Sequence, residues 1–99
     1  MARQMFRYEV LVTGAWVHGL TGDPVGVANC AAPLGVEFWA EHDDSKPVRR
    51  RTFQVFGTGH PLPEGARYVG TAPRTAEGLV WHLYELVSDE TEDTDDRDR

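Results

Sequence analysis

Two histidines and a loop rich in glycine and proline are the features of this 99-residue chain that best suit binding chemistry. The loop runs from Gly57 to Gly65 and contains His60, and His82 follows in a later apolar segment. Imidazoles titrate near neutral pH and bind metals, but a zinc site usually takes three or four ligands. No further cysteine or histidine stands at metal-ligand spacing. We therefore predict no metal and no cofactor, with His60 capping its own loop and His82 as an inward or interstrand ring bonded to a backbone carbonyl.

The step Gly57-Thr58-Gly59 also resembles the start of a phosphate-binding loop. In such loops the glycines let backbone N–H groups converge on an anion, usually where a helix begins. Here Pro61 and Pro63 follow, and each proline removes one backbone donor. The pattern favours a rigid structural connection, in which glycine permits positive φ and proline limits the freedom of the unfolded chain.

The single basic cluster, Arg49-Arg50-Arg51, is a second candidate for contact with an anion. Such a cluster is typical of a solvated strand entrance, and it also suits a phosphate contact. A general nucleic-acid-binding domain carries a strong basic surplus, whereas this chain has a net charge of −6 at pH 7. The last twelve residues, with seven acids and two arginines, hold −5 of that charge. We predict no binding to nucleic acid.

Nucleophilic catalysis has little support in the sequence. Cys30 lies in an apolar stretch, where a thiol more often packs than reacts. Ser45 and Ser88 are the two serines, and both lie in charged segments. We predict no catalytic residue and no enzyme, with a hydrolase that uses His60 as a third hypothesis.

The single cysteine and the hydropathy pattern indicate the cellular compartment in which the protein is expected. One cysteine cannot form an internal disulfide, which fits a reducing environment. No apolar run approaches the roughly 20 residues that a membrane-spanning helix needs. We predict a cytoplasmic protein that does not contact a membrane.

Alternation of polar and apolar residues at period two dominates the chain and predicts strands rather than helices. Six short strands joined by glycine and proline turns predict one all-β domain over residues 1–87, an antiparallel sandwich or small barrel. Residues 88–99 contain no apolar side chain and are predicted to be a disordered acidic tail. The segment 79–87, apolar on both faces, predicts an interior strand or one covered on both sides, and Trp16–His18 a further short extended piece. The six predicted strands cover about 6–12, 25–30, 36–42, 52–56, 66–70 and 79–87.

Residues 53–85 resemble a family of small uncharacterised domains from actinobacteria and their phages. The similarity is carried by the Gly57–Pro61 loop, the Val69–Thr71 step and the closing segment Val80–His82. The segment Val36–Ala40 is similar to the tryptophan-bearing strand of that family. This resemblance implies an actinobacterial or phage origin, and it brings no activity with it.

Three tryptophans give the chain more aromatic surface than six strands require. Glu37 and Glu41 flank Trp39 on the expected solvent face. Either Trp39 points outward and anchors a partner, or a second sheet covers it. Both arrangements stay open at this stage.

Two functional hypotheses follow from these features. The leading one is a non-enzymatic accessory protein, of bacterial or phage origin, that contacts a protein partner or a second copy of itself. Its recognition surface would combine Trp39, His60 and the Gly57–Gly65 loop. The alternative is a binder of a small anionic ligand or nucleotide, held between that loop and the arginines from Arg49 to Arg51.

Overall fold

Within residues 2–30 and 34–87, which this computed structural model describes, seven antiparallel strands form two sheets. The three-stranded sheet has the order β1-β4-β3 and the four-stranded sheet the order β2-β5-β7-β6. The described residues include no helix with the length and apolar character needed to cross a membrane. The all-β antiparallel prediction is confirmed. The strands are β1 (Arg3–Leu11), β2 (Trp16–Leu20), β3 (Pro24–Asn29), β4 (Gly35–Asp43), β5 (Arg49–Gly57), β6 (Arg67–Thr71) and β7 (Trp81–Leu86).

The strand count differs from the prediction at one place. The short extended piece at Trp16 is a full strand, β2, which pairs along its length with β5. The sequence indicated only a short piece here, because the strand has five residues and glycines lie close to both of its ends. The closing strand β7 lies between β5 and β6, as its two apolar faces predicted. The predicted acidic tail, 88–99, lies outside the described residues.

The core forms where the two sheets pack face to face. Alternation along β4 turns Phe38 inward, and the same period along β5 turns Phe53 toward it, with ring centroids 4.8 Å apart. Tyr8 of β1 stacks on Phe38 at 5.1 Å, so three strands contribute to one aromatic cluster. Offset and tilted ring pairs of this kind add to the burial energy of the rings. The buried core comprises Val10, Leu20, Val36, Phe38, Ala40, Phe53, Val55, Ala72 and Leu83.

One side of the sandwich is closed by contact between the edge strands β3 and β6. Each strand carries a register shift, next to Pro24 in β3 and next to Tyr68 in β6. Gly70 of β6 meets Val27 of β3 so closely that a Cβ at position 70 would stand 2.6 Å from a Val27 methyl carbon. The two sheet edges therefore shield each other on this side.

Because Phe38 is fully buried at the contact between the sheets, its truncation should strongly destabilise the fold. We expect Phe38→Ala to lower the free energy of unfolding by about 3–5 kcal/mol, which is a large fraction of the stability of a small domain. Urea denaturation followed by tryptophan fluorescence measures this. The exposed Val25 is the control, since Val25→Ala should stay within about 0.5 kcal/mol of the wild type. Equal losses in the two variants would contradict the assigned core.

Candidate functional site

The Gly57–His60 segment forms a closed turn at the end of β5. The His60 N–H donates to the Gly57 carbonyl at 3.1 Å, and Gly59 adopts a φ of 91°. Those two features define a type II turn, whose third residue requires positive φ and therefore favours glycine. The Gly57 N–H in turn donates to His60 Nδ1 at 3.2 Å. The prediction that His60 caps its own loop is confirmed, and Nδ1 must be unprotonated to accept this bond.

This turn leaves little for a phosphate. The Gly57 N–H, which a phosphate loop would offer to an anion, is already donated to the imidazole. Pro61 and Pro63 carry no N–H at all. The loop is therefore explained by its own internal bonds, which supports the structural interpretation of the glycine and proline spacing.

His82 lies at the centre of a polar chain on the outer face of the four-stranded sheet. Its Nε2 is 2.8 Å from Thr58 Oγ1, and its Nδ1 is 2.9 Å from Thr71 Oγ1. The Tyr68 hydroxyl extends the chain, 2.6 Å from Thr71 Oγ1. The predicted interstrand position is confirmed, but the predicted bond to a backbone carbonyl is wrong. On an interior strand the carbonyls pair with neighbouring strands, so threonine hydroxyls take their place.

A half-buried ion cluster lies on the inner face of the same sheet, where the core ends. Arg51 of β5 donates from Nε and Nη2 to the two carboxylate oxygens of Glu85 on β7, both at 2.8 Å. Asp23, from the turn before β3, accepts from Arg51 Nη1 at 2.9 Å. Arg67 of β6 reaches Glu85 at 2.9 Å. Charge on a core-facing position is tolerated because the two side chains pair in the planar, two-bond geometry that suits guanidinium and carboxylate.

The electrostatics of this cluster follow from those bonds. The hydrogen bonds from Arg51, with a smaller contribution from Arg67, hold the pKa of the Glu85 carboxyl below its usual range, although partial burial acts in the opposite direction. The carboxylate of Glu85, and then that of Asp23, raise the pKa of the Arg51 guanidinium. Glu85 and Arg51 therefore both stay charged at neutral pH.

Next to the cluster lies a half-open cleft of about 370 Å³, lined mainly by residues of β5, β6 and β7. Four arginines and two acids are among the residues that line it. The arginines come from β5 and from the first residue of β6. The lining residues are Asp23, Arg49, Arg50, Arg51, Gly65, Arg67, Glu85, Leu86 and Val87.

The structure brings together only part of the predicted anion site. Arg49 and Arg51 line the cleft, and of the glycine loop Gly65 reaches it. The Gly57 end of the loop lies at the other end of β5, opposite Trp81. Strand geometry explains the separation, because Arg49 and Gly57 are the two ends of a nine-residue strand and so lie about 26 Å apart. Thr58, Gly59 and His60 are therefore outside the cleft.

Trp39 points away from the core, on the outer face of the three-stranded sheet. Its neighbour Phe38 is fully buried, whereas Trp39 is half-buried and faces Gly26 of β3 across the ladder. A second sheet does not cover it, because the four-stranded sheet packs on the Phe38 side. Trp39 and the His60 turn thus belong to opposite outer faces, and the single surface predicted to combine them does not form.

Two acids and the cysteine meet on the same outer face as Trp39. Glu9 and Glu37 are directly opposite in the β1–β4 ladder, and their ligand atoms and Cys30 Sγ lie within 4.8 Å of one another. Arg7 bridges both acids, at 3.2 Å and 3.0 Å, and so supplies the positive charge that this group needs. Burial, together with the two acids, raises the pKa of the Cys30 thiol. A protonated thiol is a weak nucleophile and a poor metal ligand, in line with the predicted packing role.

Sequence reasoning missed Glu85, Arg67 and Asp23 as members of the cleft. A usable signal was present for Glu85, since it alternates with Leu83 and so takes a core-facing position on an interior strand. An acid at such a position predicts a basic partner on a neighbouring strand. For Asp23 and Arg67 no comparable pattern exists, because their position depends on how the two sheets pack.

Comparison with known proteins identifies one family. The sequence profile of a family described as "Domain of unknown function (DUF7352)" matches residues 1–94. No curated protein and no solved structure matches the chain.

Because His60 Nδ1 accepts a backbone hydrogen bond, its removal should weaken the turn. We expect His60→Ala to lower the free energy of unfolding by about 1 kcal/mol, the usual net value of one such bond. His60→Asn should recover part of the loss, since its side-chain oxygen is an acceptor at a similar distance from the backbone. Urea denaturation compares the three proteins. An Ala variant as stable as the wild type would show that the imidazole does not hold the turn.

The lowered pKa of Glu85 predicts a specific acid sensitivity. A carboxyl whose pKa is lower in the folded state stabilises the fold above its unfolded pKa, about 4.3, and that contribution is lost as pH falls through the folded value. Glu85→Gln should therefore be less stable than the wild type at pH 7, by about 1.5–3 kcal/mol for a charged hydrogen bond. The difference should shrink between pH 5 and pH 3. Urea titrations of both proteins across that range measure it, and a constant difference would contradict the prediction.

Proposed function

We propose that this chain, which belongs to the DUF7352 family, is a non-enzymatic accessory protein that acts by protein–protein contact through the outer face of its three-stranded sheet. The observation that carries the proposal is the outward position of Trp39. A tryptophan on a solvent-facing sheet surface exposes apolar area that a globular domain gains nothing by leaving in water. Tryptophan is also among the residues most enriched at the energetic centres of interfaces.

The surroundings of Trp39 support a contact surface. Met5, a diagonal neighbour of Trp39 in the β1–β4 ladder, is 53% exposed and extends the apolar centre. Ion pairs flank that centre on both sides, with Arg3 and Glu41 at 3.4 Å on one side. Arg7 with its two acids lies on the other. An apolar centre with a polar rim is the arrangement that protein interfaces use.

One side of the rim is held by a contact within the sheet. Glu37 is largely buried by its bond to Arg7, so the rim on that side is fixed by a contact within the sheet. A partner that docks there does not have to immobilise those side chains itself, which lowers the entropic cost of association. The partner we propose is another protein chain that inserts an apolar side chain between the two sets of ion pairs.

The cellular setting is part of the same proposal. The similarity of the Gly57–Pro61 loop to domains from actinobacteria and their phages supports an accessory role in such a bacterium or phage. A single cysteine, which cannot form an internal disulfide, suits the reducing cytoplasm. We therefore place the expected partner among cytoplasmic proteins of an actinobacterial host or of its phage, or in a second copy of this chain.

A photo-crosslinking amino acid at position 5 tests this surface inside actinobacterial cells. We expect it to give one discrete crosslinked product, which Trp39→Ala reduces at least tenfold because the central anchor is lost. The matched control places the same crosslinker at Tyr68, an exposed aromatic position on the other sheet. It should not give that product. Mass spectrometry of the product distinguishes a second copy of the chain from another protein.

Folding of the variant must be separated from loss of contact. Trp39→Ala should keep a cooperative thermal transition, since its ring lies outside the buried core. A folded Trp39→Ala protein that crosslinks as well as the wild type would overturn the proposal, as would equal products from positions 5 and 68.

A further inference from the structure

Strand β1 forms one outer edge of the three-stranded sheet. Its ladder with β4 runs from Arg3 to Leu11 without a register shift, and the strand contains no proline or glycine. Bulges and prolines are devices that protect sheet edges from further pairing. By contrast, β3 and β6 carry register shifts and shield each other, and β2 has only five residues. Among the strands that the structure describes, β1 is therefore the edge best suited to accept another strand.

The backbone groups of alternate residues of β1 point away from β4. Just beyond the two ends of β1, the Val12 N–H donates to the Leu34 carbonyl at 3.3 Å, and the Asp44 N–H donates to the Ala2 carbonyl at 3.2 Å. In an antiparallel ladder, residues that bond to the neighbouring strand alternate with residues whose N–H and C=O groups point away from it. The even-numbered residues of β1 therefore bond to β4, and the odd-numbered residues direct their backbone groups outward.

Four residues of β1 present these outward groups along the edge, namely Arg3, Met5, Arg7 and Glu9. The Glu9 carbonyl accepts a bond from His18 Nε2 of β2 at 2.8 Å, in agreement with its outward direction. Within residues 2–30 and 34–87, the outward backbone groups of Arg3, Met5 and Arg7 have no hydrogen-bond partner. A carbonyl oxygen has two lone pairs, so that of Glu9 can accept a second bond.

The side chains of β1 are self-complementary about Phe6. In an antiparallel pairing of two copies centred on Phe6, Arg3 of each copy lies opposite Glu9 of the other. Met5 then lies opposite Arg7. Opposite charges in directly opposed positions stabilise a strand pair and like charges destabilise it, and the registers centred on Met5 or on Arg7 would each oppose two arginines. Phe6, which is 38% exposed, gains apolar cover from its counterpart.

We propose that β1 binds β1 of a second copy of this chain, antiparallel and with the two-fold axis at Phe6. The result is one continuous six-stranded sheet, with three strands from each chain. Two observations carry the proposal, the unpaired backbone edge and the charge complementarity of this register. Because such an axis is perpendicular to the sheet, both Trp39 faces point to the same side, and the dimer presents that contact surface twice.

The pairing goes beyond the contact proposed for Trp39 and does not rest on it. It uses backbone groups at the edge of β1, whereas Trp39 belongs to β4 and its ring lies on the outer face of the sheet. Trp39→Ala should therefore leave the dimer intact. Failure of the Trp39 contact leaves dimerisation unchanged, and a monomeric wild type leaves the expected effect of Trp39→Ala on another protein partner unchanged.

A cysteine at the two-fold axis tests the register. In the Cys30→Ala background, Phe6→Cys should form an intermolecular disulfide in a glutathione redox buffer. Residues opposed at a non-hydrogen-bonded position have Cα atoms about 4.5 Å apart, which is within disulfide range. Gln4→Cys is the matched control on the same strand and face, because its two copies would lie about 14 Å apart, too far to bond. Non-reducing electrophoresis should show a dimer for Phe6→Cys and a monomer for Gln4→Cys.

A proline at position 5 tests the backbone edge. The Met5 N–H points away from β4, so Met5→Pro should keep a cooperative thermal transition while it blocks the addition of a strand. Met5→Ala is the control, since it loses the same side chain and keeps the N–H. By sedimentation velocity across the micromolar range, we expect the wild type and Met5→Ala to be dimers and Met5→Pro to be a monomer.

Three results would overturn the proposal. A wild type that stays monomeric across that range would show that the edge does not pair. A folded Met5→Pro protein that remains a dimer would place the interface elsewhere. Disulfide dimers of Gln4→Cys in equal or greater yield than those of Phe6→Cys would contradict the register.

Discussion

The ion pair between Arg51 and Glu85 is the constraint on which the architecture of this domain depends. Both residues occupy core-facing positions on adjacent strands, in line with Phe53 and Leu83, where an unpaired charge would be strongly destabilising. The pairing through two hydrogen bonds satisfies both groups, and the Arg51 guanidinium lies 6.0 Å from the centre of the Phe53 ring. The apolar core can therefore end at this row without leaving a buried charge, and the charged cleft begins where the core stops.

The two outer faces of the sandwich differ in how far other segments cover them. On the four-stranded sheet, Phe56 points outward but is only 8% exposed, and the loop that leaves β5 bonds to His82 on that face. The long connection to β6 thus serves as a cover held by internal hydrogen bonds. The three-stranded sheet has no comparable cover among the described residues, so Trp39 and its flanking ion pairs meet solvent. This asymmetry is the physical basis for assigning recognition to one face.

Local patterns predicted local structure well. Alternation located all the long strands, and glycine spacing with positive φ accounts for the Gly57–His60 turn. Contacts between distant segments were not predictable, because register and sheet packing set them. The bond between Arg51 and Glu85 joins residues 34 positions apart, and the bridge from Arg7 to Glu37 joins residues 30 positions apart.

The candidate site shows the same division between local and distant information. The clustering of the arginines made them candidates for an anion contact, but it did not indicate their acidic partners. The glycine loop was grouped with them because it follows soon after in the sequence. An extended strand carries the chain away at more than 3 Å per residue, so closeness in sequence did not imply closeness in space.

The contact between Gly70 and Val27 has a consequence for the behaviour of the protein at high concentration. Edge strands expose unpaired backbone groups on which a strand of another molecule can add, and this is a common route to aggregation. Here the two edges block each other, and the register shifts in both strands twist their backbones away from a flat ladder. A larger side chain at position 70 would push these edges apart and open both to strand addition. We therefore expect glycine at this position to limit self-association along β3 and β6, a role separate from folding or recognition.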